Sequence, residues 1–237
     1  MTIAHPGPGF PPGPPRLRIN NRSGRVIITA EERSDVLVEA GMATESDDAA
    51  SLAFTGKDGG TSPVELRCPA GCDILIGTLS GRVEILGRAG AVVISTASGK
   101  VLVKRALSAD IRTVSGDVEI VESTGQVRVQ AKSGKTRIGR AAAADLATVS
   151  GTIAIDRADG AVRVKSVSGN VDVSASGPHN VSVQTISGSV RLSYPSDTHP
   201  STRVKKLSGK LRNALQPGAD CECNVSTVSG SIELAPA

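Results

Sequence analysis

Along most of this chain an aliphatic residue stands at every second position, in short runs separated by polar, glycine-bearing breaks. The stretches "VKSVSGNVDV" (Val164 to Val173) and "IRTVSGDVEI" (Ile111 to Ile120) show the form, two alternating segments joined through Ser-Gly. A period of two marks strands with one buried face. The Ser-Gly pairs begin at Ser80, Ser98, Ser115, Ser133, Ser150, Ser168, Ser187, Ser208 and Ser229, so the segments return every 17 to 21 residues, with an outlying copy at Ser23. Spacing this regular signals a repeat architecture.

Aligned on the serine, the columns are chemically uniform. Four residues before it stand Ile76, Ile94, Ile111, Val129, Leu146, Val164, Val183, Val204 and Val225. Three after it the column is again aliphatic apart from Thr136, and five after it only Asn213 departs. The inward phase slips between the two segments, with Val162 and Val164 in one phase and Val167, Val171 and Val173 in the other, which places a corner over 166–169. A unit this short cannot bury its own apolar face, so each must stack on the next. The expectation is an all-β chain forming a single-domain parallel β-solenoid of about 18 residues per coil. Regular coils are expected over 80–237 and irregular coils with a cap over 16–79, where 33–61 reads as a polar excursion. Outward columns agree with stacking: Asp110, Arg128, Asp145 and Arg163 alternate in sign, and Arg212 and Glu233 fall in one column, so opposite charges meet in adjacent coils.

Composition narrows the chemistry. With no Trp, one Tyr and two Phe in 237 residues, the core must be Val, Ile, Leu and Ala, and no aromatic platform exists to stack a sugar or a base. Six prolines among residues 1–15 deny that segment a helix or sheet role and predict a disordered tail. The first residues form no readable signal peptide and no apolar run reaches membrane-spanning length, so a cytoplasmic location is the expectation.

No catalytic or cofactor-binding residues emerge. Asp117, Glu119, Asp145 and Asp172 could in principle serve a β-helical glycan-cleaving enzyme, but each has a basic neighbour one coil away, and catalytic carboxylates need neighbours that separate their pKa values. His179 and His199 lie in proline-bearing turns without a nucleophile at motif spacing. The cysteines, "CPAGC" (Cys68, Cys72) and "CEC" (Cys221, Cys223), lack the two-residue separation of a zinc knuckle, and Cys223 falls in an aliphatic column, so no metal is expected. A threonine column two before the serine reads as hydroxyls satisfying corner amides rather than an ice-binding rank. The net charge is +4, and its excess gathers late, at Arg191, Arg203, Lys205, Lys206, Lys210 and Arg212, a candidate anion-facing patch. Without aromatics or a nucleic-acid motif, nucleic acid is not the expected ligand.

The phrases "VELRCPAGCDILIGTLSGRVEILGRAGAVVISTASGKVLV", "TVSGDVEI", "SVSGNVDV" and "TISGSVRL", in a region running from about Arg16 to the C-terminus, resemble the bacterial β-strand-repeat family of unknown function whose members bear the name putative adhesin. The resemblance implies a β-solenoid that acts as a non-enzymatic, adhesin-like binding module for a protein or polymer partner. Members of such a family are expected to carry an export signal or lipid anchor, and none is readable here. In architecture alone the chain is also similar to the bactofilin cytoskeletal solenoids, which polymerise end to end. That analogy implies an alternative, a self-assembling scaffold, in which the last strand, with Ile232 and Leu234, is the open edge through which copies associate.

Overall fold

Each alternating run forms a strand because its β-branched side chains fill one face, and the strands stack in register because every coil offers the same column. The computed structural model describes residues 2–4, 15–44 and 51–237. It is a nearly all-β chain of parallel, solenoid-stacked coils. Ser150 pairs with Ser168, Ser168 with Ser187 and Ser187 with Ser229, the alignment that the Ser-Gly period requires. The aliphatic columns are buried, with Val164, Val183 and Val225 at 0 to 1% exposure. At the Ser-Gly corners from Gly81 onward a glycine lies over the glycine of the neighbouring coil. Gly169 sits at φ 141°, and a Cβ there would penetrate the Gly151 carbonyl oxygen. Positive φ and stacking distance therefore both demand glycine.

Two details differ from expectation. Ser166, not Val167, continues the buried phase of Val162 and Val164, and Val167 is 44% exposed, so the phase slips at Ser168–Gly169. The threonine hydroxyls donate rather than accept: Thr78, Thr96 and Thr185 bond the carbonyl of the serine two residues on, at 3.0 to 3.1 Å.

Contacts divide the chain into two compact units, Met1–Val121 and Glu122–Ala237, where the sequence reading has one domain over 16–237. Coils touch only their neighbours, so the side-chain columns carry no sign of where such a division falls. The first unit holds β1 (Thr2–Ala4), β2 (Arg16–Asn21), β3 (Val26–Glu31), β4 (Val36–Ala40), β5 (Met42–Thr44), β6 (Ser51–Thr55), a helical turn at Lys57–Gly60, β7 (Val64–Pro69), β8 (Asp73–Thr78), β9 (Val83–Ser98) and β10 (Val101–Ser115). Its first coil, β2 and β3, lies between two later ones: β2 pairs in parallel with β6 and β8, and β3 with β7 and β9. The coil of β6 and β7 is covered in turn by antiparallel strands, β5 on β6 and β4 on β7, from the polar excursion. Residues 45–50 of that excursion lie outside the described residues, as does most of the expected 1–15 tail. Its start is an exception: the prolines begin only at Pro6, and β1 pairs antiparallel with β4, Thr2 opposite Val38.

β11 (Val118–Ala158) is followed in the second unit by β12 (Val162–Ala175), β13 (Val181–Ser187), β14 (Val190–Tyr194), β15 (Ser201–Ser208), β16 (Leu211–Asn213), β17 (Glu222–Ser229) and β18 (Ile232–Pro236). The last coil in sequence is not the last in space. β17 lies between β13 and β15, and β18 between β14 and β16. Ile232 and Leu234, expected at an open edge, are therefore paired on both sides and are 1% and 0% exposed. The outermost coil is β15 and β16. Its inward columns explain why, since Thr202, Lys206 and Asn213 stand opposite Cys223, Thr227 and Leu234. A coil with Lys and Asn facing inward is tolerable only where one side meets solvent.

Beneath the turns of this unit Tyr194, fully buried, donates its hydroxyl to the His179 carbonyl at 3.3 Å and touches the Cys221 and Cys223 thiols. Burial pushes the Tyr194 hydroxyl well above the ordinary tyrosine range and the Cys223 thiol up to about 11. In the first unit Cys68 and Cys72 are buried side by side, and the hydrogen bond between them, with burial, holds the Cys72 thiol protonated.

Replacing Gly169 by Ala should cost about 3 kcal/mol and lower Tm by roughly 10 °C, from strained φ and overpacking together. The same change at Gly59, where a Cβ meets nothing within 4 Å, should cost only about 1 kcal/mol. Thermal melts of both variants check the contrast. The buried hydroxyl and thiol have folded pKa values above their unfolded ones. The thiol's contribution is complete below its unfolded pKa, near pH 8.5, and falls away as pH rises through about 11, whereas that of the hydroxyl is complete below about pH 10 and falls away only above it. Absorbance at 295 nm from the single tyrosine should stay flat through about pH 10 and rise only with loss of circular dichroism; a free titration near pH 10 would show the ring accessible.

Candidate anion-binding face

In a parallel stack the residues between the buried positions form outward ranks, one per coil. Over the first strand of each coil in the second unit, register places Arg163 beside Ser182, Ser182 beside Asn224 and Asn224 beside Arg203. The next outward rank runs Lys165, Gln184, Ser226, Lys205. Two basic pairs, Arg163 with Lys165 and Arg203 with Lys205, thus flank two coils of neutral hydroxyls and amides, with three sheet spacings, about 14 Å, between them. All four cations are exposed, and among the described residues none makes an ion pair. Between the β17 coil and the outermost one lies a shallow groove of about 350 Å³, lined by Ser182, Gln184, Arg203, Lys205, Asn224 and Ser226 together with Val183 and Val225. A second groove of mixed charge adjoins it along Asp145, Arg163, Asn180, Ser182, Glu222 and Asn224.

The six residues singled out from sequence do not form one patch. Arg203 and Lys205 lie on this face; Lys210 and Arg212 belong to the next turn of the coil, over the second strand; Lys206 points along the inward column and bonds the Gly209 carbonyl at 3.0 Å. Arg191 is neutralised by Glu233 at 3.0 Å. Sequence reading missed Arg163 and Lys165. Both stand in the outward columns of Arg203 and Lys205, but nearness in sequence does not reveal them, because a stack of coils does not respect it. The reordered last coil also matters, because it sets Asn224 and Ser226 between the neutral and basic ranks.

The expected charge ladders form only in part: Glu119 and Asp145 find cations one coil away, whereas among the described residues Asp172 makes no ion pair and Glu233, opposite Arg212, takes Arg191 instead. Lys100 meets Glu119 at 3.2 Å, Arg137 meets Asp156 at 2.9 Å and Arg128 meets Asp145 at 4.0 Å. Asp159 takes Ser176, Arg157 and Arg140, hydrogen bonds that hold it far below the usual carboxylate range. A carboxylate so placed stays ionised and is a poor proton donor at neutral pH. Among the described residues no cluster of three or more His, Cys, Asp or Glu gathers as a metal site, and no helix is long and apolar enough to cross a membrane.

The column one residue before each Ser-Gly carries exposed aliphatics. Val149, Val167, Ile186, Val228 and Leu207 follow one another from coil to coil at 44 to 83% exposure. They form a ridge whose members half-cover each other at the strand spacing.

Two solved structures cover nearly the whole chain at low identity. One, a putative adhesin from Bacteroides fragilis NCTC 9343, has TM-score 0.45 and 14% identity, over 93% of this chain and 92% of its own. The other, a putative cell adhesion protein from Clostridium sporogenes ATCC 15579, has TM-score 0.23 and 10% identity, over 100% of this chain and 98% of its own. No curated protein matches the chain. The profile of one family, Toastrack DUF4097, matches residues 71–235, which is most of the chain and all of its regular coils, and the chain belongs to that family.

Proposed function

We propose that the chain is a non-enzymatic, adhesin-like binding module that holds an extended anionic polymer across the outer face of its second unit. The reading rests on one observation: Arg163, Lys165, Arg203 and Lys205, exposed and without ion pairs, bracket a neutral hydrogen-bonding platform of Ser182, Gln184, Asn224 and Ser226. Arg128, Arg137, Arg140, Arg157 and Arg191 in this unit are neutralised by carboxylates, whereas these four make no ion pair among the described residues. Two cationic rows about 14 Å apart suit a ligand that repeats its charge along a line, better than a compact anion that would meet one row only. The engaged carboxylates and the absence of an aromatic platform favour holding a polymer over cleaving it.

Dextran sulfate is a suitable probe, followed by calorimetry across a salt series. Binding should weaken as salt rises, as expected where cations displace counterions from the polymer. The double variant Arg163→Ala/Lys165→Ala should weaken it by roughly tenfold and flatten the salt dependence by about two ion equivalents, with the melting curve unchanged. Equal affinity in wild type and variant would remove the face from consideration.

A further inference from the structure

The outermost coil has a second feature, which stands whether or not the face binds a polymer. β15 and β16 pair on one side only, with β17 and β18, and among the described residues no strand takes the other side. Alternate backbone N–H and C=O groups along Ser201–Ser208 therefore point outward. Side chains on this coil are of one sign: Arg203, Lys205, Lys206, Lys210 and Arg212, with no Asp or Glu between Asp197 and Asp220. The acids in register on the paired side are engaged elsewhere. Glu233, opposite Arg212, takes Arg191 at 3.0 Å, and Glu222, opposite Ser201, accepts from Asn224 at 3.2 Å. Leu207 and Leu211 stand 83% and 41% exposed at the corner.

We propose that this edge accepts an added β-strand from an extended acidic peptide. Such a strand pairs through its backbone and sets alternate carboxylates beside Arg203 and Lys205, while its intervening residues lie over Thr202 and Val204. Charge decides the occupant. A second copy of the same edge would bring cations against cations, whereas an acidic strand meets Arg203 and Lys205 with anions. The inward column works the same way. Lys206 and Asn213 replace the apolar residues that another coil of this kind would need to stack upon, yet they leave the backbone of the edge open.

The test uses the full chain and a fluorescein-labelled octapeptide that alternates glutamate with valine and threonine, the length of β15. Anisotropy should show saturable binding. Arg203→Glu/Lys205→Glu should weaken it at least about tenfold, and so should N-methylation of alternate peptide nitrogens that face the edge. A lysine-for-glutamate peptide should not bind. The methylated peptide separates this proposal from the polymer face, since loss of an amide hydrogen matters only to strand pairing. Equal binding of the methylated peptide, binding of the lysine peptide, or no saturable binding of the acidic one would overturn the edge, whatever dextran sulfate does.

Discussion

Close approach of one coil's backbone to the next is the constraint on which the rest of this structure depends. Parallel hydrogen bonding holds successive coils at about 4.8 Å, and at the corners that distance leaves no room for a Cβ. Gly188 lies over Gly169, and Gly169 over Gly151, each with a left-handed φ and each facing the carbonyl oxygen below. Once corners are fixed in this way, every strand has a fixed register, and register decides which side chains are buried and which outward charges meet. The ion pairs follow from that register and add little of their own, since exposed pairs contribute on the order of 0.2–1 kcal/mol each.

That hierarchy explains what could be read from the amino acids. The buried columns were legible because burial acts on every coil alike, so Val164, Val183 and Val225 announce themselves by repetition. Val167 reads as inward because it is aliphatic, and hydropathy alone cannot separate a buried valine from one on an exposed ridge. The small buried Ser166 beside it was the better guide, since it occupies the column that Thr148 and Thr185 fill in neighbouring coils. Arg163 and Lys165 were legible in principle, for they share outward columns with Arg203 and Lys205, but only once the columns are read across coils rather than along the chain.

The order of the coils was harder to see, and the reason is physical. Aliphatic columns are interchangeable: Val183 packs on Val225 as readily as it would on Val204, so nothing in the apolar pattern says which coil lies on which. The information sits in the exceptions. One is polarity, since Lys206 and Asn213 in inward columns mark an outermost coil. The other is length. The chain must rise two layers from the β13–β14 coil to the β15–β16 coil, skipping the place later filled by β17–β18. Its Ser-Gly intervals there grow from 17 or 18 residues to 21. Three extra residues span about 10 Å when extended, enough for the one additional strand spacing that the skipped layer requires.

The same reordering gives the last coil its character. Tucking β17 and β18 inward protects the chain's final strands with partners on both sides and leaves a looped-out coil to face solvent. In the first unit the corresponding outer coil, β6 and β7, is closed by antiparallel strands β4 and β5. The second unit's outer coil has no such cover among the described residues, and it carries lysine and arginine instead. Charge of one sign keeps an open edge from pairing with its own kind, which is a common protection of exposed strands. It gives no protection against a strand of opposite charge. On the strand-addition proposal, the charge that disfavours pairing between copies is also what selects an acidic strand, and both would come from the same few side chains on Ser201–Asn213.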